Sequence, residues 1–398
     1  MRRSYWTVVI CGALTLTIAT GLRQTFGLFL KPITLDLGVT REVFSFAVAL
    51  QNLLWGVAGP FAGAIADKYG AARASIGGAL LYALGLFAMS RAGSGGEIIL
   101  GNILVGFGLS GSGFSVMLGA VGRAAPPERR SAALGVVAAG GSFGQFALVP
   151  YGQELLLRFG WEIALMIMAA TALIMVPLAA GVSAPAATRT TSRQSISEAL
   201  AEAFRHSGFW LLTIGFFVCG FQVVFVATHL PAFLADRAMP AWLGGWALAL
   251  VGLFNIVGSY GCGVLGGRFR KKYVLSVLYL ARSAVFILFL ILPLSNTSVL
   301  LFSAALGLLW LGTVPLTSGL VAQIFGPAYM SMLYGIVFMS HQAGSFLGAW
   351  YGGYVFDVTG SYDLMWWICV ALGVAAAALH WPIADQPVER PALAELRA

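Results

Sequence analysis

Arg23 and His341 both stand inside long apolar stretches, where an ionisable side chain is costly unless it meets a partner or a cavity. Arg23 lies at the edge of a stripe formed by Thr17, Thr20, Gln24 and Gly27, whose spacing of 3, 4 and 3 keeps one helix face. Its planar fork of donors can grip a carboxylate through two hydrogen bonds. Snorkelling toward an interface or pairing with a neighbouring helix are the alternative uses. His341 falls on a second stripe, Tyr334, Phe338, His341, Ser345, Gly348 and Gly352. A neutral imidazole there can take up a proton and then attract an anion; a core histidine bonded to a facing helix fits the same pattern. Arg282, among Leu280, Ala281, Val285 and Phe286, is expected to bond backbone carbonyls or polar groups of neighbouring helices. His229, just before Pro231, is expected to be interfacial.

The acidic residues are placed differently. Asp36, Asp67, Glu97, Glu154, Glu162, Asp236, Asp357 and Asp363 all fall at the ends of apolar runs or between them. A central cavity with Arg23, and no carboxylate to offset it, carries a positive potential that favours anions over cations. Of the other buried polar groups, Gln51, Asn52, Gln145, Gln222, Asn255 and Gln323, each could touch a polar ligand or bond another helix. The candidate binding set is Arg23, His341, Asn52, Gln145, Asn255, Gln24 and Tyr334, with His341 also the candidate for proton coupling.

Composition says what must carry these side chains. The 398 residues are 59% hydrophobic and 10% charged, with a mean hydropathy of +0.87; soluble domains carry about 25% charged residues. Apolar runs long enough to span a bilayer fall at about 5–30, 43–66, 74–91, 97–122, 131–156, 161–182, 209–235, 242–266, 273–294, 298–325, 331–356 and 363–384. The expected fold is an all-α membrane protein of twelve transmembrane helices in two pseudo-symmetric six-helix bundles, residues 1–182 and 208–398. A cytoplasmic linker, 183–207, joins them and contains a capping-box start at Ser195 and Glu198. Arg2 and Arg3 precede an apolar run with no cleavage site, so the first helix is expected to be retained.

With the N-terminus inside, sixteen of the 23 Lys and Arg fall on cytoplasmic segments, five on outer ones, and Arg23 and Arg282 within helices. Topology thus accounts for the net charge of +8 without nucleic acid. The four cysteines have no C-x-x-C spacing, so neither a metal site nor a disulfide framework is indicated. No H-E-x-x-H or paired membrane carboxylates suggest an enzyme, and no cofactor is expected. An internal repeat at an offset of 200 relates Gly135–Gly152 to Gly335–Gly352, with six identities in eighteen positions, and Gly63 to Gly263. Two similar halves suit a pair that rocks around a central site.

Gly63-Ala64-Ile65-Ala66-Asp67-Lys68-Tyr69-Gly70-Ala71-Ala72-Arg73 resembles the loop 2-3 signature of the major facilitator superfamily, G-x-L-x-D-R-x-G-R-R. A degraded copy at Gly263–Lys272 has Gly267 at the acidic position. In physical terms Gly63 allows close helix approach, Asp67 can accept charge-assisted bonds at a helix end, and Gly70 supplies a turn before Arg73. These four are expected to latch the halves on the cytoplasmic side, as the resemblance also implies.

A narrower resemblance, to monocarboxylate porters and oxalate:formate exchangers, rests on Thr40-Arg41-Glu42-Val43-Phe44-Ser45, on Arg23 late in helix 1, and on Asp357-Val358-Thr359-Gly360-Ser361-Tyr362. Those exchangers carry a Lys in helix 11 near the place of His341. The chain departs from the porters in helix 8, where Asn255 and Ser259 stand at the positions of an Asp and an Arg. The expectation is a secondary active transporter moving a small organic anion, a monocarboxylate, by alternating access. It would be a multi-pass monomer of a bacterial inner membrane with both termini cytoplasmic, in contact with lipid and with a proton as candidate coupling ion. The alternative is an exporter of amphiphilic or toxic compounds.

Overall fold

The structure is a computed structural model that describes residues 5–126, 130–182, 195–326 and 330–388; the side chains of Asp67, of 130–132 and of 330–331 are not among the described groups. Most of the expected linker, 183–194, therefore lies outside the described residues. Every regular element described is a helix: α1 (Tyr5–Gln24), α2 (Phe26–Leu37), α3 (Arg41–Tyr69), α4 (Ala71–Ser90), α5 (Gly95–Ser112), α6 (Phe114–Ala124), α7 (Arg130–Leu173) and α8 (Met175–Gly181). After the linker come α9 (Ile196–Arg205), α10 (Ser207–Asp236), α11 (Ala241–Arg268), α12 (Lys271–Ile291), α13 (Asn296–Leu308), α14 (Thr313–Phe325), α15 (Met330–Thr359) and α16 (Asp363–His380).

Ten segments among the described residues are long and apolar enough to cross a membrane. One of them, Ala133–Gly181, is interrupted at Gly160, whose φ of 76° and ψ of 173° are not helical, and α15 is not among the ten. The outward faces are apolar. On α4, Leu80, Leu84 and Phe87 are exposed while Ala79, Tyr82, Ala83 and Leu86 are buried, which is the arrangement of a helix with lipid on one side. The linker helix α9 begins as expected: Glu198 N–H donates to Ser195 Oγ at 3.2 Å and Ser195 N–H to the Glu198 carboxylate at 2.8 Å.

The sequence repeat has a packing cause. A Cβ on Gly144 would lie 2.1 Å from the Thr17 carbonyl oxygen, and one on Gly344 would lie 2.0 Å from that of Phe217. Both glycine and partner are thus displaced by 200, so α1 crosses α7 as α10 crosses α15. Gly27 meets its own counterpart, with a Cβ 2.1 Å from the Ala227 carbonyl oxygen, which puts the α2–α10 contact on the pseudo-symmetry axis.

Three helix breaks position functional groups. Thr25 separates α1 from α2, its Oγ1 donating to the Leu22 carbonyl at 2.7 Å, and fixes Arg23 and Gln24 just before the bend. Gly113 separates α5 from α6, and 309–312 separates α13 from α14, again about 200 residues apart. The second break leaves carbonyls without helical partners. Arg282 Nη2 donates to the carbonyls of Leu309 (2.5 Å) and Trp310 (2.7 Å), and Nη1 to Gln222 Oε1 at 2.9 Å. Fully buried, Arg282 bonds backbone carbonyls and a neighbouring helix, as the sequence suggested.

Candidate functional site

Arg23 sits where α1 faces α3. Its Nη2 donates to Asn52 Oδ1 in a short contact, its Nη1 to Gln24 Oε1 at 3.4 Å, and its Cζ stands 5.1 Å from the centre of the Trp55 ring. Nε is buried and has no protein partner. Among the described residues no Asp or Glu lies within ion-pair distance of it. Gln24 Nε2 donates to Gln145 Oε1 at 3.0 Å, and Gln145 Nε2 reaches across to the Leu248 carbonyl on α11 at 2.9 Å. Gln51, whose amide atoms are both buried and unpaired, shares a small void with Arg23 and Gln24.

The second half reaches this cluster through Gln342. Its Nε2 donates to the Asn52 carbonyl at 3.0 Å, and its Oε1 stands 3.1 Å from His341 Nδ1. The residue that links the cluster to His341 is therefore the neighbour of the predicted one. On a 30-residue helix, one position turns the side chain by about a quarter circle, so Gln342 faces α3 while His341 faces α10. The His341 ring lies 4.9 Å from Phe216 and stacks on Phe338 at 5.4 Å and 7°, with Nε2 buried and unpaired. Tyr334 extends this ladder, 6.2 Å from Phe216 and 6.3 Å from Phe338. Ser345, Gly348 and Gly352 of the same stripe pack on α10 instead.

The structure thus brings together Arg23, Gln24, Asn52 and Gln145, and ties His341 to them through Gln342. It places Asn255 apart. Asn255 Nδ2 donates to Ser142 Oγ at 2.9 Å, and Oδ1 accepts from Leu311 N–H and Ser259 Oγ, both at 3.0 Å. Its amide holds the α13–α14 break against α7. The polar stripe of α1 is also largely a packing seam, since Thr17 Oγ1 donates to the Gly140 carbonyl at 3.0 Å and Thr20 Oγ1 to that of Gly141 at 3.2 Å. His229 is fully buried between Tyr362 Oη at 3.1 Å and the Ala349 carbonyl at 2.7 Å.

Polar ties join the two halves at the face opposite the N-terminus. Arg41 donates to both oxygens of Asp236, at 2.6 and 2.8 Å, and to Tyr362 Oη at 3.0 Å, with its Cζ 3.7 Å from the Phe356 ring centre. Lys31 adds a bridge to Asp236 at 3.1 Å. The Asp357 carboxylate accepts from Arg41 N–H (3.2 Å) and Glu42 N–H (2.7 Å), an acid at a helix N-terminus. Trp350 Nε1 donates to Glu42 at 3.0 Å. Arg41 and Glu42 stand in one sequence motif and Asp357 and Tyr362 in another, and here the two motifs meet. Beside this clamp lies a groove of about 450 Å³ lined mostly by apolar side chains, including Leu28, Leu156, Trp161 and Met239.

At the N-terminal face a Cβ on Gly63, Gly135, Gly263 or Gly335 would meet nothing within 4 Å, so nothing packs against these four glycines. Gly70 takes the turn expected of it, with φ 97° and its N–H donating to the Ala66 carbonyl at 3.0 Å. Arg73 is exposed, and the Asp67 side chain is outside the described groups. In the second copy, where Gly267 stands at the acidic position, Arg270 donates to both oxygens of Asp385, from Nε at 3.1 Å and from Nη2 in a shorter contact. Gln323 Nε2 holds the Asp385 carbonyl at 2.7 Å, and Lys272 Nζ that of Ile383 at 2.8 Å. The bonds from Arg270 hold the Asp385 carboxyl below its ordinary value of 3.8.

This chain is similar in sequence to one curated protein and in fold to several solved ones. A curated relative from Bacillus subtilis (strain 168), "Uncharacterized MFS-type transporter YcxA", is 28% identical over 206 residues, which is 48% of this chain. The aligned region spans about half the length of that relative (50%). Among solved structures, a bacterial homologue of the human lysosomal transporter Spinster, inward-facing and occupied, superposes with a TM-score of 0.76 at 14% identity, covering 96% of this chain and 98% of that one. The xylose transporter XylE from E. coli, inward open, gives a TM-score of 0.74 at 16% identity, with 96% of each chain covered. At such identities these two speak for the fold. The profile of the Major Facilitator Superfamily matches residues 12–349 and 244–397, and the chain belongs to that superfamily.

Proposed function

We propose that this protein is a secondary active carrier for a small organic anion, a monocarboxylate, which binds at Arg23 between two six-helix halves, 1–182 and 208–398, joined by 183–207. The observation that carries this reading is the Arg23 guanidinium, held at the meeting of α1 and α3 with a free Nε and no acidic partner among the described residues. A part-buried charge within an apolar span attracts an opposite one more strongly than a surface charge does, because less solvent screens it. Asn52 and Gln24 orient the fork, Gln145 braces Gln24, and the resemblance to monocarboxylate porters and oxalate:formate exchangers points the same way.

In this reading the open N-terminal face is cytoplasmic, the clamped face is external, and the protein is a monomer of the inner membrane in an inward-facing state. Gly63, Asp67, Gly70 and Arg73 close the cytoplasmic side when the clamp opens. His341 carries the coupling proton. Nδ1 already faces the acceptor Gln342 Oε1 at 3.1 Å, so the added proton goes to the unpartnered Nε2, while Gln342 ties the ring to Asn52.

Uptake into proteoliposomes tests the site. Arg23→Ala abolishes uptake of carboxylates while detergent-solubilised protein stays monodisperse; uptake at normal affinity would reject the assignment. With His341→Gln, pH-driven accumulation is lost while counterflow persists, and unaltered accumulation would remove the proton role. The second reading, an exporter of amphiphilic compounds, draws on the 450 Å³ apolar groove. It predicts resistance of expressing cells to hydrophobic compounds with no carboxylate flux.

A further inference from the structure

We infer that the anion taken at Arg23 is a monocarboxylate with an aromatic body, held by Trp55 and Phe338; this rests on the anion reading above. The cluster offers one cation and a wall of rings. The Trp55 ring, under Arg23, lies 6.5 Å from Phe114 at 26° and 6.1 Å from Phe338 at 81°. Phe338 continues to Tyr334 at 6.3 Å and to His341 at 5.4 Å. Trp55, Phe114, Phe338 and Tyr334 are each only half-buried, so ring surface stays accessible beside the guanidinium. The wall is built from α3, α6 and α15, and so from both halves of the chain.

Charge and shape together narrow the class. Arg282, the other arginine within the spans, is fully buried with Nη1 and Nη2 committed to Gln222 and two carbonyls and only Nε free, so it cannot offer a ligand's second carboxylate a two-bond grip. A dicarboxylate would set that group against Trp55 or Phe338. An amino acid's ammonium would find no carboxylate among the described residues around Arg23. A short hydrophilic acid satisfies Arg23 but leaves the ring faces uncovered. A planar aromatic acid covers them, and offset or edge-on aromatic pairs add affinity beyond the area they bury.

The experiment is equilibrium binding to the purified full chain in detergent, with benzoate, acetate, oxalate, phenylalanine and benzyl alcohol as probes. Benzoate binds at least about tenfold tighter than acetate or oxalate, and phenylalanine and benzyl alcohol bind weakly. In Trp55→Leu and Phe338→Leu the benzoate-to-acetate ratio falls toward one; if either variant fails to fold, the probe series on the unaltered chain decides. Acetate or oxalate binding as tightly as benzoate overturns the aromatic class and leaves the anion site standing. Benzyl alcohol matching benzoate, or no carboxylate binding at all, overturns the anion site as well.

Discussion

Arg23 and Arg282 are the same residue type, each within an apolar span, yet their surroundings give them opposite roles. Arg282 has two backbone carbonyls and a glutamine as acceptors and closes the α13–α14 break. Nε is without a partner in both, but Arg23 has only two side-chain amide oxygens, and it is part-exposed where Arg282 is fully buried. Arg282→Met therefore leaves buried acceptors unpaired and lowers stability by about 2–4 kcal/mol, read as a lowered Tm in a thermal-unfolding scan; an unchanged Tm would deny it a structural role. Residue type and depth showed both arginines as exceptional, and the expected bond type of Arg282 proved correct. The bonds of Gln342 were not legible, because a side chain's facing across two halves depends on how those halves dock. Asn255 was equally open to both uses, and its one acceptor and two donors lie on α7, α11 and the 309–312 break.

Among the elements, the helices were legible from apolar runs because lipid and core both demand apolar side chains over a fixed length. Their breaks at Thr25, Gly113 and 309–312 were not; that at Thr25 goes with a single hydroxyl bond to Leu22, and that at 309–312 is held by Arg282 and Asn255, distant in sequence. The 200-residue repeat was legible because glycine has no substitute where a carbonyl sits 2.0–2.1 Å from a would-be Cβ. Gly344→Ala must push α10 from α15 and costs about 1–3 kcal/mol, measurable as lower Tm and yield; wild-type stability would mean the helices already stand apart. Asp385 makes a further case, an acid near the chain's end that pairs with Arg270 of the degraded motif copy. Its lowered carboxyl pKa means the tie is fully present above 3.8 and lost as the pH falls through the lowered value. A scan of Tm against pH shows Asp385→Asn less stable near neutrality and converging on the wild type in acid; a difference that persists in acid would refute the ion pair as its source.

For the whole molecule, the ties between the halves gather at the face opposite the N-terminus, and the proposed inward-facing state has the other face open. Arg41 and Asp236 belong to different halves, and Asp357 closes the N-terminus of α3 from the other half. Removing the clamp takes differential stabilisation from this state alone, and each 1.4 kcal/mol lost shifts the balance about tenfold. Spin labels at Gly63→Cys and Gly263→Cys should report a shorter mean distance in Arg41→Ala than in the unaltered background, as the N-terminal face closes. An unchanged distance distribution would contradict the clamp's role. The two motifs that form it were visible in the sequence as separate fragments 316 residues apart, the separation of Arg41 and Asp357; only docking of α3 on α15 unites them.

The central claim is that an unpaired guanidinium in the middle of the protein binds the transported anion, and equilibrium binding of benzoate to purified wild type and Arg23→Gln tests it most directly. Loss of one partner of a buried charge pair predicts a Kd raised by about thirtyfold or more. Equal affinity in the two proteins would contradict the account.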